Sequence, residues 1–179
     1  MSGHSRWAQI KHKKAATDAK KGKVFSRLSR LITIASKEHG PDPKTNSKLE
    51  RAIAEARAAN MPQDNIARAI QRAKEKETSE LKEVLYEAYG PGGSALLIEV
   101  TTDNSNRTTN ELKRILLEHG AKLGVEGSAL WAFEKKGGDF AAKFPMALGE
   151  DDAKKFLGLL EALSEHDDVE NVYANAEVK

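Results

Sequence analysis

The chain has 179 residues, with 39% hydrophobic and 31% charged residues, no cysteine and a net charge of only +2. That composition excludes a disordered polymer, and the missing cysteine excludes disulfides, thiolate metal sites and cysteine nucleophiles while fitting a reducing compartment. No apolar run approaches the roughly 20 residues of a membrane span, and the polar, basic N-terminus has no apolar signal core, so a cytoplasmic protein with no membrane partner is expected.

The small net charge conceals a division. Residues 1–76 hold 18 Lys+Arg against 7 Asp+Glu, and residues 77–179 hold 11 against 20. The first 30 residues carry nine basic side chains and one acidic. This arm, with His4, Ser5, Arg6, Trp7, Lys11, His12, Lys13, Lys14, Lys20, Lys21 and Lys23, repels itself unless phosphates relieve the charge, which points to nucleic acid. Trp7 reads two ways, as a base-stacking ring or as a side chain pinned to the core. With only Trp7 and Ile10 as apolar anchors, a membrane-surface arm is disfavoured. His4 and His12 are too far apart, and too far from other ligands, to hold a metal.

Beyond the arm, Val24, Phe25, Leu28, Leu31, Ile32 and Ala35 share one helical face, and that helix should stop near His39-Gly40-Pro41. Ser47 with Glu50 forms a capping-box pattern for a second helix, burying Leu49, Ile53 and Ala56. Asn60-Met61-Pro62 breaks it, and Pro62 suits the first position of a third helix with Ile66, Ile70 and Ala73 inward. Lys23, Arg27 and Arg30 on the first helix, and Arg68, Arg72 and Lys76 on the third, lie away from the apolar stripes. Taken singly, each is an ordinary solvated face. Residues 74–80 are charged and aperiodic, the expected linker.

After the linker the period changes. Residues 84–89 and 95–101 read as strands joined through Gly90-Pro91-Gly92-Gly93. This is no phosphate-binding loop, because it lacks Gly-Lys-Ser/Thr and leads into a strand. Thr108 with Glu111 suggests a capped helix with Leu112, Ile115 and Leu116 inward, ending at Gly120. The preceding Thr102-Asp103-Asn104-Ser105-Asn106-Arg107 resembles a calcium loop in composition only. Thr108 and Arg114 stand where such a loop needs Gly and Glu. Residues 128–134 read as a strand, 137–149 as a connector, then a helix with Phe156, Leu157, Leu160 and Leu163 inward, then a strand over 169–174. The expected fold is α+β: an N-terminal three-helix domain (1–76, arm included) and a β-β-α-β-α-β sheet domain (77–179) with helices on one face. No catalytic constellation, cofactor motif, small-molecule site or dimer heptad stands out, so a monomer without enzymatic activity is expected.

Several segments together resemble the YebC/PmpR family: Gly3-His4-Ser5-Arg6-Trp7, Ile10-Lys11-His12-Lys13-Lys14, Asp18-Ala19-Lys20-Lys21-Gly22-Lys23, Tyr86-Glu87-Ala88-Tyr89-Gly90-Pro91-Gly92-Gly93, Thr102 to Thr108, and Leu123-Gly124 with Gly127-Ser128. The resemblance implies a non-enzymatic regulator of gene expression. Bacterial members are described as DNA-binding transcriptional regulators. Others are mitochondrial translational activators, or ribosome-associated factors that help synthesis through proline-rich stretches. It also implies contact surfaces on the basic arm and the Gly-rich hairpin. The family pattern places a third domain where residues 137–149 stand here, so this chain resembles a short form. The candidate nucleic-acid residues are the arm residues named above with Arg27, Arg30, Arg68 and Arg72, and the candidate partner surface is Tyr89, Gly90, Gly92, Gly93, Asn104 and Arg107. DNA or ribosomal RNA is the expected partner. On duplex DNA, Asn65, Arg68 and Arg72 would enter the major groove as part of a helix-turn-helix; on ribosomal RNA, the arm would thread as an extended segment. A third reading is an adaptor whose acidic sheet domain binds a protein.

Overall fold

The computed structural model of the chain describes residues 1–15, 18–74 and 81–179, and the side chains of all of these except 12–15, 18–21 and 23. Two compact units emerge: Lys13–Lys82, and Met1–His12 with Glu83–Lys179. The expected linker lies outside the described residues except for Lys74.

In the helical unit, α2 (Asp18–His39), α3 (Ser47–Ala58) and α4 (Gln63–Arg72) surround one core. Leu28, Ile32 and Ala35 of α2 meet Leu49, Ala52, Ile53 and Ala56 of α3 and Ile66 and Ala69 of α4, with Met61 closing the turn. Ala69 takes the inward position expected for Ala73, which is only half-buried. The cap of α3 also differs from expectation. Asn46, not Ser47, is the N-cap: its Oδ1 accepts from the Leu49 N–H at 3.0 Å. The same buried amide donates to the carbonyls of Ala35 and Gly40, both at 2.8 Å, tying the end of α2 to the start of α3. A side chain that caps one helix and terminates another satisfies both sets of orphan groups at once. Pro62 sits one position earlier than expected, as the N-cap of α4.

The sheet unit runs β1 (Lys82–Tyr89), a 3-10 turn Pro91–Gly93, β2 (Ala95–Thr102), α5 (Ser105–Glu118), β3 (Lys122–Leu123), β4 (Phe133–Lys136), β5 (Asp139–Ala142), β6 (Met146–Ala147), α6 (Glu150–Glu165), β7 (Val169–Ala174) and β8 (Ala176–Glu177). The main sheet has the order β3-β1-β2-β7, and β2 pairs antiparallel with β7, Ile98 opposite Val172. Strand alternation sends Leu96, Ile98, Val100 and Val172 to the face covered by α5 and α6, where Leu112, Leu116, Phe156, Leu159, Leu160 and Leu163 bury them. Ala95, Leu97 and Tyr173 face the other way, onto Ala129, Ala132 and Phe133. The helices thus lie on one sheet face, as expected.

Three segments differ from the sequence reading. Residues 128–134 are not one strand: Leu130–Ala132 forms a 3-10 turn and β4 begins at Phe133. The connector 137–149 contains β5 and β6, and β4 with β5 forms a hairpin, Lys136 opposite Asp139. The helix after β2 begins at Ser105 with Asn104 as N-cap, so Thr108 lies inside α5 and is not its cap.

The arm differs most. Gly3–Ala15 is a helix, α1, rather than an extended thread, and Met1–His12 belongs to the sheet unit rather than the helical one. Gly3, Trp7 and Ile10 share one helical face. Trp7 is 1% exposed within the α6-side core, and Ile10 packs at its margin. At Gly3 a Cβ would stand 2.8 Å from Ala174 Cβ, so only glycine lets α1 lie this close to β7. Met1 and Val178 exchange backbone hydrogen bonds of 2.7 and 3.0 Å, fixing the start of the arm to the chain beyond β8.

Candidate nucleic-acid interface

Within the helical unit, α2 and α4 leave a cleft of about 410 Å³ between them. Its wall comes from Phe25, Ser26, Ser29, Arg30 and Thr33 of α2 and from Asn65, Arg68, Ala69 and Arg72 of α4. Ser26, Ser29, Arg30 and Thr33 stand at i, i+3, i+4 and i+7, as do Asn65, Arg68, Ala69 and Arg72. That spacing normally marks an apolar stripe turned toward a neighbour. Here each helix carries a second stripe beside its apolar one, filled with hydroxyl, amide and guanidinium groups. Thr33 and Ala69 form the buried floor. The Thr33 hydroxyl lies 2.8 Å from the Ala69 carbonyl and 2.9 Å from that of Ser29, and this bridge holds the helices together below the opening. Arg30 and Asn65 are half-buried, while Ser26, Arg68 and Arg72 are exposed at the rim. Among the described residues, no Asp or Glu lines the cleft. Three guanidinium groups in one concave wall concentrate positive charge there.

The structure therefore brings Arg30 of α2 beside Arg68 and Arg72 of α4, which lie some forty residues further along the chain. It does not bring Arg27 into the cleft wall. The side chains of His12, Lys13, Lys14, Lys20, Lys21 and Lys23 lie outside the described residues. Of the remaining arm residues, two are drawn into the fold. Trp7 is a core residue and has no face open for a base, because its large ring gains more by burial than by exposure. The His4 ring stacks on Tyr173 at 4.5 Å, and its Nδ1 donates to the Val172 carbonyl at 3.2 Å. Ser5 pairs with Ser2 at 2.8 Å. Arg6 reaches Gln9 at 3.3 Å, and the Lys11 ammonium lies 5.1 Å from the Trp7 ring centroid.

Sequence reasoning missed Phe25, Ser26 and Ser29. The signal was present: small hydroxyl residues at i and i+3, directly beside the cation stripe and adjoining the apolar one.

The dense polar motifs of the sheet unit serve the fold instead. The Glu87 carboxylate accepts backbone N–H bonds from Gly127 at 2.6 Å and from Ala129 and Leu130 at 2.7 Å. Burial pushes this carboxyl up, but the three N–H donors prevail and hold it below its ordinary value. The Tyr89 hydroxyl donates to the Ser128 carbonyl. At Gly124 a Cβ would meet Ser128 Oγ at 2.3 Å, so a larger residue there would displace the Ser128 hydroxyl from the Val125 carbonyl it binds at 2.6 Å. The Tyr86 to Tyr89 run and the Gly124 to Ser128 loop are thus two halves of one clamp. Of the expected partner surface, Tyr89 is half-buried with its hydroxyl engaged and Gly90 is buried, whereas Gly92 and Gly93 are exposed.

The Thr102 to Thr108 segment is likewise internal. The Asn104 N–H donates to Thr102 Oγ1 at 3.0 Å, Thr102 Oγ1 lies 2.7 Å from Thr108 Oγ1, and Thr108 donates to the buried Asp168 at 2.8 Å. Arg107 binds Asp103 at 2.9 Å and Asp168 at 3.1 Å, and Asn104 caps α5, so the expected contact residues are engaged in a βα turn. Glu111, His166 and Asp168 lie close enough to suggest a metal site. His166, however, accepts the Asp168 N–H at Nδ1, 3.1 Å away, and its Nε2 lies 2.7 Å from Glu111. Both ring nitrogens are used, so this cluster is a hydrogen-bond network.

A family model described as the TACO1/YebC protein N-terminal domain matches residues 5–76, and one for the TACO1/YebC second and third domain matches residues 81–138. A probable transcriptional regulatory protein of Endomicrobium trichonymphae is 38% identical over 245 aligned positions, covering 99% of this chain and 96% of that protein. One of Dictyoglomus turgidum is 55% identical over 142 residues, covering 76% of this chain but only 55% of the relative, so the matched stretch spans about half of that relative's length. The crystal structure of a conserved hypothetical protein, Aq1575 from Aquifex aeolicus, superposes with a TM-score of 0.88 at 34% identity, covering 97% of each chain. The chain belongs to the TACO1/YebC family. The alignment of 245 positions exceeds the 179 residues here, so the Endomicrobium relative carries an insertion. The second family match stops at 138, at the Gly137-Gly138 turn of the β4–β5 hairpin.

Proposed function

We propose that this chain is a nucleic-acid-binding regulator of gene expression without enzymatic activity, and that the helical unit provides its phosphate-binding surface. The observation that carries this reading is the α2–α4 cleft, where Arg30, Arg68 and Arg72 converge in one wall. The relatives named as transcriptional regulatory proteins support a regulatory role. Cations in the arm add sequence-independent affinity by displacing counterions from phosphates.

One observation favours RNA over duplex DNA. Asn65, Arg68 and Arg72, which a helix-turn-helix would send into the major groove, face α2 across the cleft. A recognition helix enters a groove with a free, protruding face, whereas this face of α4 forms one wall of a cleft against α2. A translation factor that contacts ribosomal RNA is therefore the second reading.

The test is fluorescence anisotropy with labelled RNA and DNA across a salt series. The logarithm of the binding constant should fall with log salt by about 0.7–0.9 per phosphate contact. Replacing Lys11, Lys13, Lys14, Lys20, Lys21 and Lys23 by Ala should flatten that slope. No binding to either polymer at low salt sinks the proposal. Sucrose-gradient sedimentation of lysate separates the targets: absence from ribosomal fractions at low salt rejects the translation reading.

A further inference from the structure

The geometry of the α2–α4 cleft points to a more specific ligand: one unstacked nucleotide of a single strand, held by its base and its phosphate together. This inference rests on the proposed function and names what the cleft selects. A volume of about 410 Å³ lies within the range of pockets that enclose a small organic group. It is too confined for a duplex and larger than a phosphate alone requires.

The lining divides by chemistry. Arg30, Arg68 and Arg72 supply planar, permanently charged donors suited to a phosphodiester. Phe25 supplies an aromatic wall, and guanidinium planes stack on base faces as well as pairing with phosphates. Ser26, Ser29 and Asn65 offer hydroxyl and amide groups, which both donate to and accept from the edge of a base. A site for bare phosphate needs none of the last two sets. A base paired in a helix presents neither its faces nor its pairing edge, so the full set is used only when the nucleotide is splayed out of its stack.

The floor supports this role. The Thr33 bridge fixes the helix spacing beneath the opening, so the cleft is formed without the ligand. Binding then orders little of the protein, and the cost of assembling the donors is already met by folding.

The experiment uses the full chain and three probes of equal length: a single-stranded oligonucleotide, the matching duplex, and a single strand with abasic residues at its centre. RNA and DNA versions of the single strand separate the two sources of the nucleotide. The intact single strand should bind at least tenfold more tightly than either the duplex or the abasic strand. Arg68→Gln with Arg72→Gln should lower single-strand affinity tenfold or more and reduce the salt slope by about 1.4, two contacts at about 0.7 each. Phe25→Leu, which keeps the apolar contact with the core, should weaken the intact strand several-fold and leave the abasic strand unchanged. Asn65→Ala, at a half-buried position, gives the same readout without altering that core.

Equal affinity for intact and abasic strands overturns the inference, as does tighter binding of the duplex. If the cleft variants bind normally while the arm-lysine variant does not, the inference fails and the proposed function stands. If no probe binds at low salt, both fail.

Discussion

In the sheet unit, Glu87 is enclosed by three backbone N–H donors and Asp168 by Arg107 and Thr108, whereas in the helical unit Arg68 and Arg72 stand exposed across from Arg30 along an open cleft. The first group of residues belongs to dense motifs that invite a functional reading. The second is spread over two ordinary helices. Yet the motif residues spend their polarity on the fold, and the scattered ones point theirs outward. A buried polar group has to be paired, so a compact polar motif inside a domain is first an answer to a folding problem. Ligand chemistry remains available where charged side chains such as Arg68 and Arg72 converge on solvent.

This contrast fails first if Trp7 belongs to the binding surface after all. Trp7→Ala should destabilise the sheet unit by about 4 kcal/mol, the usual cost of truncating a buried large aromatic. Trp7→Phe should retain most of the stability and all of the nucleic-acid affinity. Denaturant unfolding with anisotropy on the same samples decides it, and a stable Trp7→Phe protein with lost affinity would return Trp7 to the interface. Next in size is Glu87→Ala, which leaves three loop N–H groups without their acceptor and should cost about 3 kcal/mol. Glu87→Gln isolates the charge. A carboxyl held below its ordinary value of 4.5 contributes stability that is fully present above that pH and lost as pH falls through the folded value. The wild-type chain should therefore lose stability in acid more steeply than Glu87→Gln in urea titrations between pH 5 and about pH 2.

The helical unit was legible in the sequence because its apolar stripes are long and local. The end of α2 at His39 and the strand over 169–174 follow from Gly40 and from the β-rich run alone. What escaped depends on contacts distant in sequence. The arm reads as a cationic thread because nothing in residues 1–15 reveals that β7 leaves room for Gly3, or that α6 offers a socket for Trp7. The strand expected over 128–134 fails because Glu87, some forty residues earlier, pulls the N–H groups of Ala129 and Leu130 out of any ladder. Asn46 replaces the expected cap because it also answers two carbonyls of the preceding helix. The cleft was half legible: its cations were visible as helix faces, but their convergence required the packing of α4 on α2.

The open side of the contrast predicts a dissociation between stability and binding. Arg68 and Arg72 are exposed, so replacing both by Gln should change unfolding free energy by no more than about 0.5 kcal/mol per site. Nucleic-acid affinity should nevertheless fall tenfold or more. A parallel loss of stability would show that these arginines support the helical unit and are not held in reserve for a ligand.

The smallest effect lies at Glu99, on the sheet. Burial pushes its carboxyl up, the Asn171 amide at 2.9 Å pulls it down, Asp139 and Glu83 push it up, and His4 pulls it down; the net direction is upward. A raised carboxyl contributes stability that is fully present below its ordinary value of 4.5 and lost as pH rises through the folded value. At neutral pH the charge is thus a liability, and Glu99→Gln should stabilise the chain while its side-chain carbonyl still accepts from Asn171. Solvent screens this half-buried group, so the gain should stay under about 1 kcal/mol. It should vanish near pH 4, where the wild-type carboxyl is protonated as well. Nucleic-acid affinity should not move, because Glu99 lies in the sheet unit and does not line the cleft. Thermal melts at pH 4 and pH 7 read both limbs; a gain of equal size at the two values would mean that shape, not charge, sets the energy of this site.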